Sequence, residues 1–163
     1  MQPTNIQIIR ERLNFKHNYP IVSNIAYTFQ YVEYLNNKIV REHNTSVIQK
    51  LLIKDYIINS ISILEAVFYL VLAGDIYFKR PVSFNYIFKK IIKENILGLY
   101  KEDISLLYNL KKLRNKVHIY SSYQARMTDY NSFNKKDFLL MQQILYKILN
   151  NNFVSNGKFK IRF

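Results

Sequence analysis

Hydrophobic residues recur at helical spacing along almost the whole chain. Between Ser23 and Glu42, apolar residues fall three or four positions apart, which places them on one face of an amphipathic helix. Glycine and proline, the residues that punctuate hairpins, number only three each. The pattern therefore predicts an all-α fold. The expected helices run from Thr4 to about Phe15, from Ser23 to about Glu42, from Ser46 to Ala73, from after Pro81 and Ser83 to before Gly98, from Glu102 or Asp103 to near His118, and from near Asn134 to the run Asn150 to Asn152.

Two of these segments open with the form of a capping box. In that motif a Ser or Thr side chain caps the helix, and a Glu or Gln three residues later reaches back to the backbone N–H of the cap. Thr4 with Gln7, and Ser46 with Gln49, have this spacing. The stretch 18–20, which contains a proline, is expected to separate the first helix from the second.

The segment 57–73 is the most apolar part of the chain, so a membrane span has to be weighed. A bilayer needs roughly 20 predominantly apolar residues in a row. Polar side chains interrupt this stretch at Asn59, Ser60, Ser62 and Glu65. We therefore expect a central helix of a bundle and no membrane insertion.

The penultimate helix combines a core stripe with charged residues at the edge of that stripe. On a helical wheel, one narrow face collects Leu106, Leu110, Leu113 and Val117. Arg114 and His118 lie roughly 70° to 110° from the centre of that face, at the boundary between core and solvent. Such a position favours a cleft or a subunit interface.

Composition limits the setting of the protein. The chain has 163 residues, of which 49% are apolar, which suits a single domain spanning residues 1–163. It has no cysteine and no basic and apolar leader at its N-terminus, so a cytoplasmic location is expected. His17 and His43 have no carboxylates at ligand spacing, and we therefore expect no metal and no cofactor.

The chain is strongly basic, with a formal net charge of +13. Such an excess attracts a polyanion at long range, and nucleic acid is the first partner to consider. The alternative is compositional drift in an AT-rich genome, and both interpretations stay open. Most of the 14 tyrosines and 11 phenylalanines are expected to pack in the core, with Tyr120, Tyr123 and Tyr130 left for base stacking.

Arg114 and His118 form the one plausible catalytic pair. Residues four apart on a helix lie one turn apart on nearly the same face, so both side chains can address one phosphate. Arginine offers a planar fork of donors for phosphate oxygens, and histidine exchanges a proton near neutral pH. Nearby cations are expected either to guide a phosphate backbone or to form a solvated helix face. These are Lys111, Lys112 and Lys116.

The motif Arg114-Asn115-x-x-His118-x-Tyr120, on the penultimate helix of a helical bundle, resembles the HEPN superfamily. In that family an arginine, commonly followed by Asn, Asp or His, precedes a histidine. Three residues separate Arg114 from His118, which is fewer than the family usually has. The resemblance implies an up-and-down bundle of four to five main helices that forms a homodimer.

Many HEPN domains are metal-independent ribonucleases in toxin, antiphage and RNA-processing systems. The resemblance therefore implies RNA cleavage by attack of the 2′-hydroxyl, with His118 as base or acid and Arg114 stabilising the phosphoryl charge. Asn115 either supports RNA binding or fixes the helix end. Tyr120 matches a tyrosine that, in some toxin/antitoxin pairs, a partner nucleotidyltransferase modifies. The alternatives are a non-catalytic module that binds RNA or a partner protein, and a purely structural helical subunit.

Glu65 is a further candidate for the site. A bare carboxylate is costly to bury in an apolar helix, so Glu65 is expected to have a partner. HEPN bundles often carry a polar residue on the second long helix that faces the arginine and histidine. The resemblance therefore implies that Glu65 pairs with Arg114 or orients His118. The alternative is that its side chain simply extends to the surface, and Asn59 and Ser62 are weaker candidates for the rim of the site.

Overall fold

The computed structural model describes residues 2–16, 18–42, 45–73, 82–116 and 133–160. Within these ranges the protein is all-helical, and its only β-type pairing is one isolated bridge between Leu13 and Ser155. The predicted all-α fold is therefore confirmed. The helices are α1 (Ile6–Arg12), α2 (Tyr19–Arg41), α3 (Ser46–Ala73), α4 (Phe84–Lys93), α5 (Lys101–Lys116) and α6 (Lys135–Leu149).

Helix α3 occupies the centre of the bundle and contacts α2, α4, α5 and α6. It is long and apolar enough to cross a membrane by length and composition alone, but more than half of its most apolar window is buried inside the protein. A helix that is apolar on most of its faces is expected where neighbouring helices cover it. The position of α3 in the core thus accounts for its composition.

Helix α2 buries the stripe that its sequence pattern predicts, from Ile25 through Phe29 to Ile39. It also buries three polar residues that the pattern does not reveal, Ser23, Glu33 and Asn36. The Asn36 side chain accepts a hydrogen bond from Gln142 of α6 at 2.5 Å, and both residues are 2% exposed. Buried polar groups are tolerated when they are hydrogen-bonded, so this contact links α2 to α6 through the core.

Two capping-box predictions are wrong because long-range contacts take the side chains. Asn5, and not Thr4, caps α1, with its Oδ1 accepting from the Gln7 N–H at 2.8 Å. Thr4 instead donates its N–H and its hydroxyl to the buried Glu33. At α3, Thr45 and not Ser46 lies at the cap, since its hydroxyl accepts from the Ile48 N–H at 3.5 Å, and the Gln49 amide donates to the Ile39 carbonyl near the end of α2 at 3.0 Å.

The predicted start of α2 and the predicted core face of α5 also need correction. Helix α2 begins at Tyr19, four residues before the predicted start. Pro20 is tolerated in its first turn because the backbone N–H that proline lacks would have no partner within the helix there. In α5, Leu107 is buried and Leu106 only partly so, and Asp103 joins the buried face. Val117, which the stripe included, lies outside the described residues.

The chain beyond α6 folds back onto the end of α1. Helix α6 starts near Asn134, as predicted, and a capping box that was not predicted closes its first turn: Asn134 accepts from the Asp137 N–H and Asp137 accepts from the Asn134 N–H, both at 3.2 Å. After α6, the Asn14 N–H donates to the Val154 carbonyl at 3.0 Å. The Asn156 N–H donates to the Arg12 carbonyl at 3.0 Å. These bonds hold the two chain ends together.

Candidate functional site

Arg114 and Glu65 meet at the surface of the bundle. Arg114 lies in the last turn of α5, and its Nε donates to Oε1 of Glu65 on α3 at 3.1 Å. The two side chains are 31% and 37% exposed. Glu65 is therefore not the fully buried carboxylate that its apolar helix suggested, and its desolvation is incomplete. It both contacts Arg114 and reaches the solvent, while its part in catalysis stays a prediction.

An aromatic ring holds the Arg114 guanidinium from another side. The guanidinium carbon lies 5.1 Å from the centre of the Phe84 ring, a cation–π distance. Phe84 is the first residue of α4, and Ser83 caps that helix by accepting from the Tyr86 N–H at 3.3 Å. Three helices thus position Arg114. Within the described residues its terminal nitrogens, Nη1 and Nη2, have no hydrogen-bond partner.

The residues around Arg114 divide into two groups. Lys111 is partly buried, while Lys112 and Asn115 are exposed on α5. Lys116 is engaged within the protein, because its Nζ pairs with Asp137 of α6 at 3.0 Å and lies 5.9 Å from the centre of the Phe133 ring. Lys116 therefore stabilises the junction of α5 and α6 more directly than it offers charge to a ligand.

The structure describes the arginine half of the motif. His118 and Tyr120 lie outside the described residues, as do Tyr123 and Tyr130, so their predicted roles are not tested. His17 and His43 also lie outside them. In the described part of the chain, no group of three His, Cys, Asp or Glu residues is arranged to hold a metal ion.

We expect the Glu65→Gln variant to show whether Glu65 acts mainly by orienting Arg114 or mainly by stabilising the fold. An ion pair that is about one-third exposed contributes no more than about 1 kcal/mol, so the melting temperature should fall by less than about 4 °C. Any activity that depends on the orientation of Arg114 should fall further, since the neutral amide no longer holds the guanidinium by charge. Thermal unfolding and a steady-state assay measure the two effects. A large loss of stability with unchanged kcat would show that Glu65 is purely structural.

Sequence reasoning missed a row of exposed tyrosines on α2. Most described phenylalanines are buried, as predicted, but most described tyrosines are not. Tyr27, Tyr31 and Tyr34 are 44% to 50% exposed on one face of the helix. The Tyr31 and Tyr34 rings stack at 6.1 Å, while Arg10 and Lys38 lie over the Tyr27 and Tyr34 rings. In the sequence these tyrosines recur at helical spacing outside the predicted core stripe, and this pattern could have revealed the row.

These contacts define a site with an accessible arginine and, on a separate helix, a row of aromatic rings with cations. No family model, no curated protein and no solved structure matches this chain.

Proposed function

We propose that this protein is a metal-independent endoribonuclease of the HEPN type. The observation that supports this proposal most is the set of contacts that Arg114 makes. Glu65 holds its Nε, the Phe84 ring lies against its guanidinium, and its terminal nitrogens have no partner among the described residues. A fixed guanidinium with both terminal NH2 groups unbonded is arranged to bind a phosphate. His118 follows four residues later in the sequence.

The reaction proposed is an internal transfer at phosphorus. The RNA 2′-oxygen loses its proton to a base and forms a bond to the adjacent phosphorus, while the bond from phosphorus to the 5′-oxygen breaks. An acid protonates the leaving 5′-oxygen, so the products carry a 2′,3′-cyclic phosphate and a 5′-hydroxyl. His118 supplies the base or the acid. Arg114 stabilises the negative charge that grows on the phosphoryl oxygens.

The setting proposed is a toxin/antitoxin or antiphage defence system in the cytoplasm. This part rests on the resemblance of the motif to HEPN effectors, together with a net charge of +13 that attracts RNA. An antitoxin or a nucleotidyltransferase that modifies Tyr120 is the corresponding partner.

We expect RNA cleavage to persist in excess chelator and to leave 2′,3′-cyclic phosphate ends. The proposed residues act by proton transfer and by charge, without a metal-bound nucleophile. Incubation of purified protein with RNA, with and without EDTA, followed by analysis of the product ends, measures this. Activity that EDTA abolishes and Mg²⁺ restores would contradict the mechanism.

We also expect the protein to form a homodimer through the face that carries Arg114. One histidine does not readily act as both base and acid in one step, whereas a two-fold dimer brings two copies of His118 to one cleft. Light scattering at micromolar concentration measures the assembly. A strict monomer that still cleaves RNA would show that a single copy suffices.

The second candidate function is a module that binds single-stranded RNA without cleaving it. The tyrosine row on α2 favours it, since base stacking on aromatic side chains contributes about 1–3 kcal/mol per base and tolerates any sequence. The basic surface would hold the RNA backbone. RNA binding without any cleavage by the purified wild-type protein would favour this candidate over the first.

A further inference from the structure

A cavity of about 340 Å³ lies on the side of α2 that faces the two chain ends. It is lined by Arg12, Phe29, Glu33, Lys158 and Lys160. None of these residues belongs to the Arg114 site. Arg12 of α1 and the two lysines of the segment after α6 therefore place three cations on one concave surface, to which α2 adds Phe29 and Glu33.

Backbone contacts fix the positions of these cations. The bridge between Leu13 and Ser155 and the bond from the Asn156 N–H to the Arg12 carbonyl join α1 to the C-terminal segment. Phe159, which separates the two lysines, is 5% exposed, and the Asn150 side chain binds both its N–H at 3.0 Å and its carbonyl at 2.8 Å. The cavity wall is thus an anchored segment of the chain.

The aromatic ring of Phe159 also positions the arginine. The Arg12 guanidinium carbon lies 5.6 Å from the centre of that ring. Lys158 and Lys160 both line the cavity, whereas Phe159 between them packs into the core.

Lys158 adopts a backbone conformation that lysine rarely adopts. Its φ is +71°, directly after Gly157 at +81°. A side chain other than glycine in the left-handed region costs of order 1 kcal/mol, and such strain concentrates at functional positions. The cost is incurred here at a residue whose cation lines a cavity.

The charges of the cavity are not neutralised within the described part of the chain. No ion pair to Arg12, Lys158 or Lys160 is present there. The one carboxylate at the cavity, Glu33, is 5% exposed, and both its oxygens accept hydrogen bonds from Thr4, at 2.5 and 2.8 Å. Three cations and one carboxylate leave an excess of two positive charges, which complements a phosphate monoester at neutral pH.

We propose that this cavity is a binding site for a phosphate monoester, separate from the site of RNA cleavage. The guanidinium of Arg12 supplies a fork of donors, and Lys158 and Lys160 supply point charges. The cavity is large enough for the phosphate together with part of the group that carries it. That group is either a free nucleotide or the 5′ end of an RNA strand, and both present the same chemistry.

Calorimetric titration of the 163-residue protein with adenosine monophosphate and with adenosine tests the proposal. We expect the nucleotide to bind and adenosine to bind at least about tenfold more weakly, because a charge-assisted contact is lost. Equal binding of the nucleotide and adenosine would overturn the proposal. So would a protein that binds neither the nucleotide nor the phosphorylated RNA described below.

Two variants locate the site. Lys158→Gly removes a cation and relieves the left-handed backbone, so folding should be preserved while affinity falls about tenfold. Lys160→Gln should lower affinity similarly. Lys89→Gln, on the exposed face of α4, removes the same charge outside the cavity and should change affinity little. Affinity that falls equally in all three variants, or in none, would overturn the proposal.

A short RNA with either a 5′-phosphate or a 5′-hydroxyl identifies the source of the group. If the 5′-phosphorylated RNA binds more tightly than the 5′-hydroxyl RNA and Lys158→Gly removes the difference, the site takes RNA ends. If adenosine monophosphate binds as tightly as the phosphorylated RNA, the site takes free nucleotides. Both results support the site. Because these readouts measure binding, they hold whether or not the protein cleaves RNA.

Discussion

Replacing His118 with alanine is expected to lower the rate of RNA cleavage by about 100-fold or more while leaving RNA binding nearly unchanged. General acid–base catalysis by a positioned side chain contributes roughly 10² to 10⁴ in rate, and alanine removes all of it. RNA binding is expected to depend on Lys and Arg side chains, which the substitution leaves in place. A gel assay for cleavage and fluorescence anisotropy for binding separate the two effects.

Arg114 is expected to respond differently, because its proposed role is to bind phosphate and not to transfer a proton. Arg114→Lys keeps the charge but loses the fork and the face that lies against Phe84, so folding should survive better than cleavage. Arg114→Ala should weaken both binding and cleavage. Since Glu65 is more than one-third exposed, losing its partner should cost little stability.

Two histidines outside the motif serve as matched controls. His17→Ala and His43→Ala remove the same side chain and should leave cleavage within about twofold of wild type, as neither belongs to the proposed site. Circular dichroism of every variant checks that the fold is kept. Equal cleavage by wild type, His118→Ala and Arg114→Lys would assign any nuclease activity to other residues or to a contaminant, and the binding-module function would then be favoured.

The Phe138→Ala substitution should cost about 3–5 kcal/mol of unfolding free energy, the usual loss for a large aromatic removed from a core. Phe138 is 2% exposed on α6. Its ring packs edge-to-face against Tyr56 of α3, with ring centres 4.8 Å apart. A loss of this size is a large part of the 5–15 kcal/mol that stabilises a typical domain. Urea unfolding followed by circular dichroism measures it.

Leu139 is the matched control for this prediction. It follows Phe138 directly in α6 but is 46% exposed, so Leu139→Ala should change the free energy of unfolding by less than about 0.5 kcal/mol. The comparison tests which face of α6 meets the core. Similar losses for both variants would show that α6 is rotated or that its exposed face is covered by another surface.

Much of the fold follows from local pattern. Helix α3 begins and ends where the sequence predicted, and α6 begins next to the predicted Asn134, because core periodicity is a local property. The start of α2 at Tyr19 was missed, since a proline reads as a breaker in sequence although it is well tolerated in a first helical turn.

Long-range contacts explain the errors at the helix starts. Thr4 has the form of a cap in sequence, but its donors go to Glu33, which lies 29 residues later. The Gln49 amide likewise donates to the Ile39 carbonyl near the end of α2. A side chain with several possible partners takes the one that the tertiary fold brings close, and local spacing carries no information about that partner.

The sequence by itself determined the helical class, most of the core stripe of α2, and the choice of Arg114 and Glu65 as candidate site residues. Only the tertiary structure decided that these two charges lie 3.1 Å apart, and that Arg12 shares a cavity with Lys158 and Lys160. The physical reason is the distance along the chain between the interacting residues. Helix formation depends on residues three and four positions apart, whereas a site is made by side chains that packing brings together from distant parts of the chain.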